Sequence, residues 1–199
     1  MKRAVVLGSI VAVTSGCGFK AMFQTDRTPG LPPNPLRRQV QRTLDPAANE
    51  INLTPKKTTI QELLAVPRPL DLAANNSTPK YQALRVAPLE TQVWTLEANL
   101  IRVVKHADKD IYLVLEDGGK QMAVEAVHPD LADGSPYLDR FTNLYRKLES
   151  QFKPNAQPQE TKMRVQVTGI GFFGWSSKKE GAPSNGARLM PLFDFRLVN

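Results

Sequence analysis

The alternation of apolar and polar residues between positions 93 and 127 constrains the fold more than any other feature of the sequence. A period of two is typical of a half-buried strand. The first run changes parity between Leu100 and Ile101, which predicts a bulge that lets one long strand bend. Ile111–Leu115 and Gln121–Val127 predict two more strands, and the Asp-Gly-Gly-Lys sequence between them is a hairpin turn signal.

A helix and two further strands follow. Ser135 and Pro136 predict the start of the helix, with the Ser side chain as its cap. Lys162–Ile170 and Leu189–Leu197 alternate as strands. Three strands, one helix and two strands is the order of the OB (oligonucleotide/oligosaccharide-binding) barrel. We therefore predict a mainly β, α+β fold: a five-stranded OB-like barrel with one helix between its third and fourth strands. An unrelated α+β sandwich is the alternative.

The first 17 residues resemble a bacterial export signal. Lys2 and Arg3 precede the apolar run Ala4–Val13, which is too short to cross a bilayer as a helix, since that requires about 20 residues. Cys17, the one cysteine of the chain, follows small residues and resembles the acylated cysteine of a lipoprotein, although Thr14 stands where that signal usually has Leu. The expectation is an exported protein, held to the membrane of the cell envelope by lipid on Cys17. Ordinary secretion is the alternative.

Residues 18–80 predict a Pro-rich, largely irregular extension with one short helix, and residues 81–199 predict the barrel domain. Thr59 and Glu62 fit a capping box at the start of that helix.

The basic charge of the chain lies mainly in the extension. The formal net charge is +7, with 11 Lys and Arg against 5 Asp and Glu in residues 1–80, and 15 against 14 in residues 81–199. Since binding of nucleic acid without sequence specificity needs many phosphate contacts, a nearly neutral barrel argues against nucleic acid as a partner without excluding it.

The segment 103–130 resembles the staphylococcal-nuclease-like domain, a barrel that cuts nucleic acid with calcium. Asp108 and Asp110 stand where that family has an Asp-Gly-Asp-Thr segment, and Asp130 lies near its second acidic segment. Glu125 occupies the place of an essential Arg, whereas Arg188 lies near the second Arg of the family.

This resemblance implies calcium ligands at Asp108 and Asp110, with Asp130 as base and Arg188 as phosphate clamp. Phosphodiester cleavage also needs cations beside the phosphate, and Glu125 inverts that charge at a cost of several kcal/mol. We therefore predict a non-enzymatic barrel with no cofactor, and keep a calcium-dependent phosphodiesterase or nuclease as the alternative. Asp residues are also common in turns, where they accept backbone N–H groups.

A second resemblance is to bacterial exported proteins of uncharacterised function. They carry Asp-x-Asp-x-His-Leu-Val, a Met-Ile-x-Glu segment and a closing Leu-His-Pro. This chain has Asp108-x-Asp110-x-Tyr112-Leu113-Val114, Met122-x-x-Glu125 and Leu189-Met190-Pro191. Both histidines of the pattern are replaced, so the resemblance supports the fold and implies no histidine-centred metal site.

The remaining candidate is the edge formed by Phe172, Phe173 and Trp175 beside three glycines. These rings could stack on bases or sugars, which predicts an oligonucleotide-binding or glycan-binding module. Alternatively, they fill the mouth of the barrel. Glu125, in an otherwise apolar strand, is either a functional carboxylate or an outward residue paired with a neighbouring cation. The favoured prediction is a binding or structural module of the envelope, with a possible protein partner there.

Overall fold

The computed structural model describes residues 35–73, 78–81, 83–175 and 183–198, so the export signal and Cys17 lie outside the described residues. In this part of the chain no helix has the length and apolar character needed to cross a membrane. The helices are α1 (Pro35–Gln41), α2 (Ile60–Ala65) and α3 (Leu138–Phe152). The strands are β1 (Asn52–Lys57), β2 (Gln92–Lys105), β3 (Ile111–Asp117), β4 (Lys120–Ala126), β5 (Gln159–Phe173) and β6 (Ala187–Leu197).

Five strands form a closed ring in the order β2-β3-β4-β6-β5, and pairing of β5 with β2 closes it. The pairing between β4 and β6 is parallel, with Val124 opposite Leu189, while the other pairings of the ring are antiparallel. α3 lies in the chain between β4 and β5. This is the predicted OB-like barrel with its helix between the third and fourth strands of the ring.

The predicted bulge in β2 is present. The register of β2 shifts between Leu100 and Arg102 against both β3 and β5. Asn99, before the shift, lies opposite Glu116 on β3 and Arg164 on β5. The bend lets one strand belong to both halves of the barrel, as the change of parity in the sequence predicted.

α3 begins at Leu138, later than Ser135 and Pro136 predicted, and its N-cap, Tyr137, makes no side-chain capping bond. Ser135 is engaged elsewhere, because its Oγ accepts the backbone N–H of Tyr137 at 3.1 Å and lies 2.6 Å from Thr43 Oγ1. The helix packs one apolar face inward, consisting of Phe141, Leu144, Tyr145 and Leu148.

The segment before the barrel is more ordered than the sequence predicted. Over residues 35–73 it contains α1, α2 and β1, and β1 adds to the sheet as a sixth strand parallel to β2. The capping box of Thr59 and Glu62 is confirmed. Val40, Ile60 and Leu63 are buried. The segment has too few apolar residues to fold by itself, but the barrel supplies the surface on which these residues pack.

Candidate functional site

Asp108 and Asp110 lie in the turn between β2 and β3, where both accept backbone N–H groups. Asp110 is fully buried, and its Oδ1 accepts the N–H of His128 at 2.7 Å. Its own N–H donates to Asp108 Oδ1 at 3.3 Å. Tyr145 Oη donates to the carbonyl of Lys109 at 2.7 Å, which ties the turn to α3. Both Asp residues therefore accept backbone N–H groups in a turn, as the alternative to metal binding predicted.

A cation from the segment before the barrel faces this pair. This segment, residues 35–73, is called the N-terminal segment. Arg42 Nη2 lies 3.6 Å from Oδ2 of Asp108 and 3.6 Å from Oδ2 of Asp110. Calcium binds about six to eight oxygens, whereas the described residues contain no group of three or more His, Cys, Asp or Glu side chains that could hold a metal. Arg42 thus supplies the positive charge that a metal would bring, and calcium binding at these residues stays a prediction.

The environment of Asp110 opposes its ionisation. Burial, followed by the negative charge of Asp108, raises the pKa of Asp110 to about 7, although Arg42 and the N–H of His128 act in the opposite direction. At neutral pH the carboxyl group is therefore close to its midpoint. The charge of this turn depends on pH in a range where an ordinary Asp does not titrate.

We expect this group to make the protein less stable as the pH rises from about 4 to about 7. The folded state holds the proton of Asp110 more tightly than the unfolded chain does, so raising the pH through this window favours unfolding. Urea unfolding at several pH values should show a flatter profile for Asp110→Asn, which keeps an oxygen to accept the N–H of His128. The surface variant Asp139→Asn is the control, and an unchanged profile in Asp110→Asn would contradict the assignment.

Glu125 and Arg188 form a buried ion pair between β4 and β6. Glu125 alternates with the core residues Val124 and Ala126, so its side chain points away from the barrel interior although it is fully buried. Arg188 Nη2 also donates to the carbonyl of Trp175 at 3.2 Å. The alternative of an outward residue paired with a neighbouring cation is thus confirmed for Glu125, and the structure adds that this part of the outer face is covered.

The electrostatics around Arg188 favour its charged form. Burial alone would lower the pKa of Arg188, but the charge of Glu125 raises it, and the net pKa lies above the ordinary value. Burial, with the charge of Glu125, raises the pKa of Tyr112, which lies opposite Glu125 on β3. Gly174 allows the guanidinium to pack closely, because a Cβ there would lie 2.3 Å from Arg188 Nε.

The nuclease-like positions differ in their burial and in their partners. Glu125 raises the pKa of Asp110, so the two carboxylates are electrostatic neighbours. Arg188 is occupied by Glu125 and is buried. Asp130, by contrast, has a side chain that is 71% exposed and lies 3.6 Å from Lys109 Nζ and 3.5 Å from His128 Nδ1. Asp130 is therefore open to solvent while Arg188 is committed to Glu125, and a catalytic role for either residue stays a prediction.

The predicted stacking edge is mostly internal. Phe172 and Phe173 are each 1% exposed. Phe173 belongs to the main core, and the Phe172 ring is covered by the guanidinium of Arg37, which lies 4.5 Å from the ring centre. Neither ring offers a face to a ligand in this arrangement, so the prediction is wrong for these two residues and their place in the core explains why. Trp175 is only partly buried, and its role in binding stays a prediction.

Sequence reasoning missed the way in which the N-terminal segment is held. Arg37 is fully buried, pairs with Glu90 and donates to the carbonyl of Leu84 at 3.0 Å. A second pair joins Asp45 of the segment to Arg85. The sequence placed Arg37 in the Pro-rich, largely irregular extension. The helical spacing of Arg37, Val40 and Gln41, which places them on one face, was the available signal.

A second feature missed by the sequence is an open groove of about 650 Å³. It lies where β1, β2, β5, β6 and α3 approach one another, and we call it the basic groove. Its lining includes three basic side chains, one carboxylate, and several neutral side chains. The charged residues are Lys57, Arg140, Arg196 and Asp194, and the neutral ones include Thr95, Gln166, Thr168 and Phe193.

No family model matches the sequence. No curated protein matches it either. Among solved structures, an aspartyl-tRNA synthetase of Leishmania major Friedlin is 13% identical, with a TM-score of 0.41 over 73% of this chain and 21% of that chain. The asparaginyl-tRNA synthetase of Entamoeba histolytica, with and without asparaginyl-adenylate, is 16% identical, with a TM-score of 0.35 over 56% of this chain and 22% of that chain. The chain spans less than a quarter of the length of these enzymes, and likenesses this weak carry no argument about function.

Proposed function

We propose that this protein is a non-enzymatic binding or structural module of the bacterial cell envelope, anchored by lipid on Cys17. The observation that carries the non-enzymatic part is the placement of Arg42 against Asp108 and Asp110. The face that would hold the metal and phosphate of a nuclease-like enzyme is filled by side chains of the chain itself.

Cleavage of a phosphodiester needs open coordination positions for water and substrate, and cations free to stabilise the growing negative charge. Asp110 is fully buried, and burial holds its pKa at about 7, which weakens it as a metal ligand at neutral pH. Arg188 is committed to Glu125. These are the properties of a structural ion-pair network, which also perturbs pKa values.

The second candidate function is a calcium-dependent phosphodiesterase that uses Asp108, Asp110, Asp130 and Arg188. The observation that favours it is the pair of Oδ2 atoms on Asp108 and Asp110, which face one cation and accept no hydrogen bond from the described residues. Displacement of Arg42 would leave both oxygens for a metal.

A calcium titration of the purified full-length chain separates these two functions. We expect calcium to leave the melting temperature unchanged and to cause no cleavage of single-stranded DNA, because Arg42 already balances the Asp pair. Arg42→Gln tests whether the pair binds calcium once the arginine is removed.

Calcium-dependent cleavage that is lost in Asp110→Asn and kept in the surface variant Asp139→Asn would establish the enzyme and overturn the proposal. A rise in melting temperature without cleavage would establish a structural calcium site instead.

The anchor is tested by labelling with radioactive palmitate during expression in bacteria. We expect label on the wild-type chain and recovery with the membrane, and loss of both in Cys17→Ser. Ser15→Ala, two residues before Cys17 within the predicted signal, is the matched control. An unlabelled, soluble and exported wild-type chain would show ordinary secretion.

A further inference from the structure

We propose that the basic groove binds an anionic saccharide, that is, sugar units that carry carboxylate or phosphate groups. This inference rests on the proposed function, since it assigns a ligand to a barrel that binds without catalysis. The lining of the groove includes neither the residues of the Asp108 turn nor Glu125 and Arg188, so it shares none of their ion pairs.

The charges of the groove are unbalanced. Lys57, Arg140 and Arg196 line it together with a single carboxylate, Asp194. Within the described residues, none of the three basic side chains forms an ion pair. Arg140 lies over the ring of Phe193, 5.1 Å from its centre. Three cations around one concavity concentrate positive potential there and attract an anionic ligand.

The neutral side chains of the groove suit a ligand with many hydroxyl groups. Thr168 Oγ1 lies 3.0 Å from Thr95 Oγ1, and Gln166 Nε2 donates to Glu97 Oε1 at 2.9 Å. Hydroxyl and amide groups both donate and accept, so these side chains can exchange these bonds for bonds to sugar hydroxyls. The guanidinium groups of Arg140 and Arg196 can each hold a carboxylate or phosphate with two parallel hydrogen bonds.

Other occupants fit the groove less well. Phe193 is 9% exposed and Arg140 covers its ring, so no aromatic face is open for stacking a nucleobase. Residues 1–34 of the chain hold four basic residues and one acidic residue, so that segment does not complement the charge of the groove.

The groove is formed jointly by the N-terminal segment and the barrel. Lys57 is opposite Thr95 in the parallel pairing of β1 with β2, and the N–H of Thr58 donates to the carbonyl of Thr95 at 2.9 Å. Arg196 is opposite Gln166 in the pairing of β6 with β5, and donates to its side chain. The volume of the basic groove, about 650 Å³, falls within the range of about 300–1,000 Å³ that is usual for small-molecule sites.

The test is titration of the purified full-length chain with a fluorescently labelled hexasaccharide of galacturonic acid. We expect the combined variant Lys57→Gln, Arg140→Gln, Arg196→Gln to weaken binding about ten-fold or more, because it removes three charged contacts. A matched variant, Lys120→Gln, Arg146→Gln, Lys162→Gln, removes the same charge from exposed positions elsewhere and should weaken binding less than about two-fold. The methyl-esterified hexasaccharide, which lacks the charge, should bind at least about ten-fold more weakly than the acid.

Equal losses in the two combined variants would overturn the proposal, since binding would then follow net charge and not the groove. A second result would also overturn the proposal. In that result the hexasaccharide fails to bind the wild type, whereas octathymidylate or phosphatidylglycerol vesicles bind it and bind the groove variant more weakly. The calcium and DNA-cleavage assay is read separately. If the protein neither binds the saccharide nor cleaves DNA, only the assignment of the groove is contradicted. If it cleaves DNA, the proposed non-enzymatic function is contradicted.

Discussion

Replacing Glu90 by Ala is expected to lower the free energy of unfolding by about 3–5 kcal/mol, because it leaves a buried arginine without its counter-ion. Glu90 and Arg37 are both fully buried. The carboxylate also accepts the N–H of Val86 at 2.8 Å and the N–H of Phe173 at 2.8 Å. The single substitution therefore breaks an ion pair and removes the acceptor of two backbone donors. Urea unfolding of the full-length chain measures the loss.

The control for this prediction is Glu160→Ala. Glu160 pairs with Arg102, but its side chain is 69% exposed, so we expect a loss of no more than about 1 kcal/mol. Pairing Arg37→Met with Glu90→Ala tests whether the arginine is the reason for the large loss. The double variant should remain clearly destabilised, because Val86 and Phe173 still lack their acceptor. A Glu90→Ala chain as stable as the Glu160→Ala chain would contradict the importance of the pair.

The barrel could be predicted from the sequence because its signals are local. The change of parity after Leu100, the Asp-Gly-Gly-Lys turn and the helical spacing of Phe141, Leu144 and Leu148 each lie within one element. The closed ring then follows from the usual order of these elements. The start of α3 was less predictable, since Ser135 makes its contact with Thr43, 92 residues away in sequence.

The ion pairs could not be predicted, because each joins distant parts of the chain. Arg37 and Glu90 are 53 residues apart, and Glu125 and Arg188 are 63 apart. The sequence shows a basic residue or an acidic residue at each position but not its partner. A charged residue is most often solvated, so the sequence placed Arg37 in an irregular extension and left Glu125 as either a functional carboxylate or an outward residue.

The stacking role predicted for Phe172 and Phe173 was wrong for a related reason. Phe172 and Phe173 are adjacent, so they point to opposite faces of β5. Phe173 enters the main core, while Phe172 lies in a second cluster of buried residues with Val40 of the N-terminal segment. The sequence could not show that the outer face would be covered, because the cover comes from residues 35–45.

Replacing Arg188 by Met is the second change for which we expect a large effect, a loss of about 3–5 kcal/mol of unfolding free energy. The substitution leaves the carboxylate of Glu125 buried without its cation. It also removes the donor to the carbonyl of Trp175. Met fills much of the same volume, so the loss reports the charge more than a cavity. Urea unfolding again measures it.

The partner variant separates this pair from that of Glu90. Glu125 accepts no backbone N–H from the described residues, so removing its carboxylate leaves no main-chain donor unpaired, unlike the removal of Glu90. We therefore expect Arg188→Met combined with Glu125→Leu to be more stable than Arg188→Met alone, because two apolar side chains replace an uncompensated charge. Equal instability of the single and double variants would mean that Arg188 acts through Trp175 and Gly174 and not through Glu125. In that case the carboxylate of Glu90 would stabilise Arg37, whereas the carbonyl of Trp175 and the packing against Gly174 would stabilise Arg188.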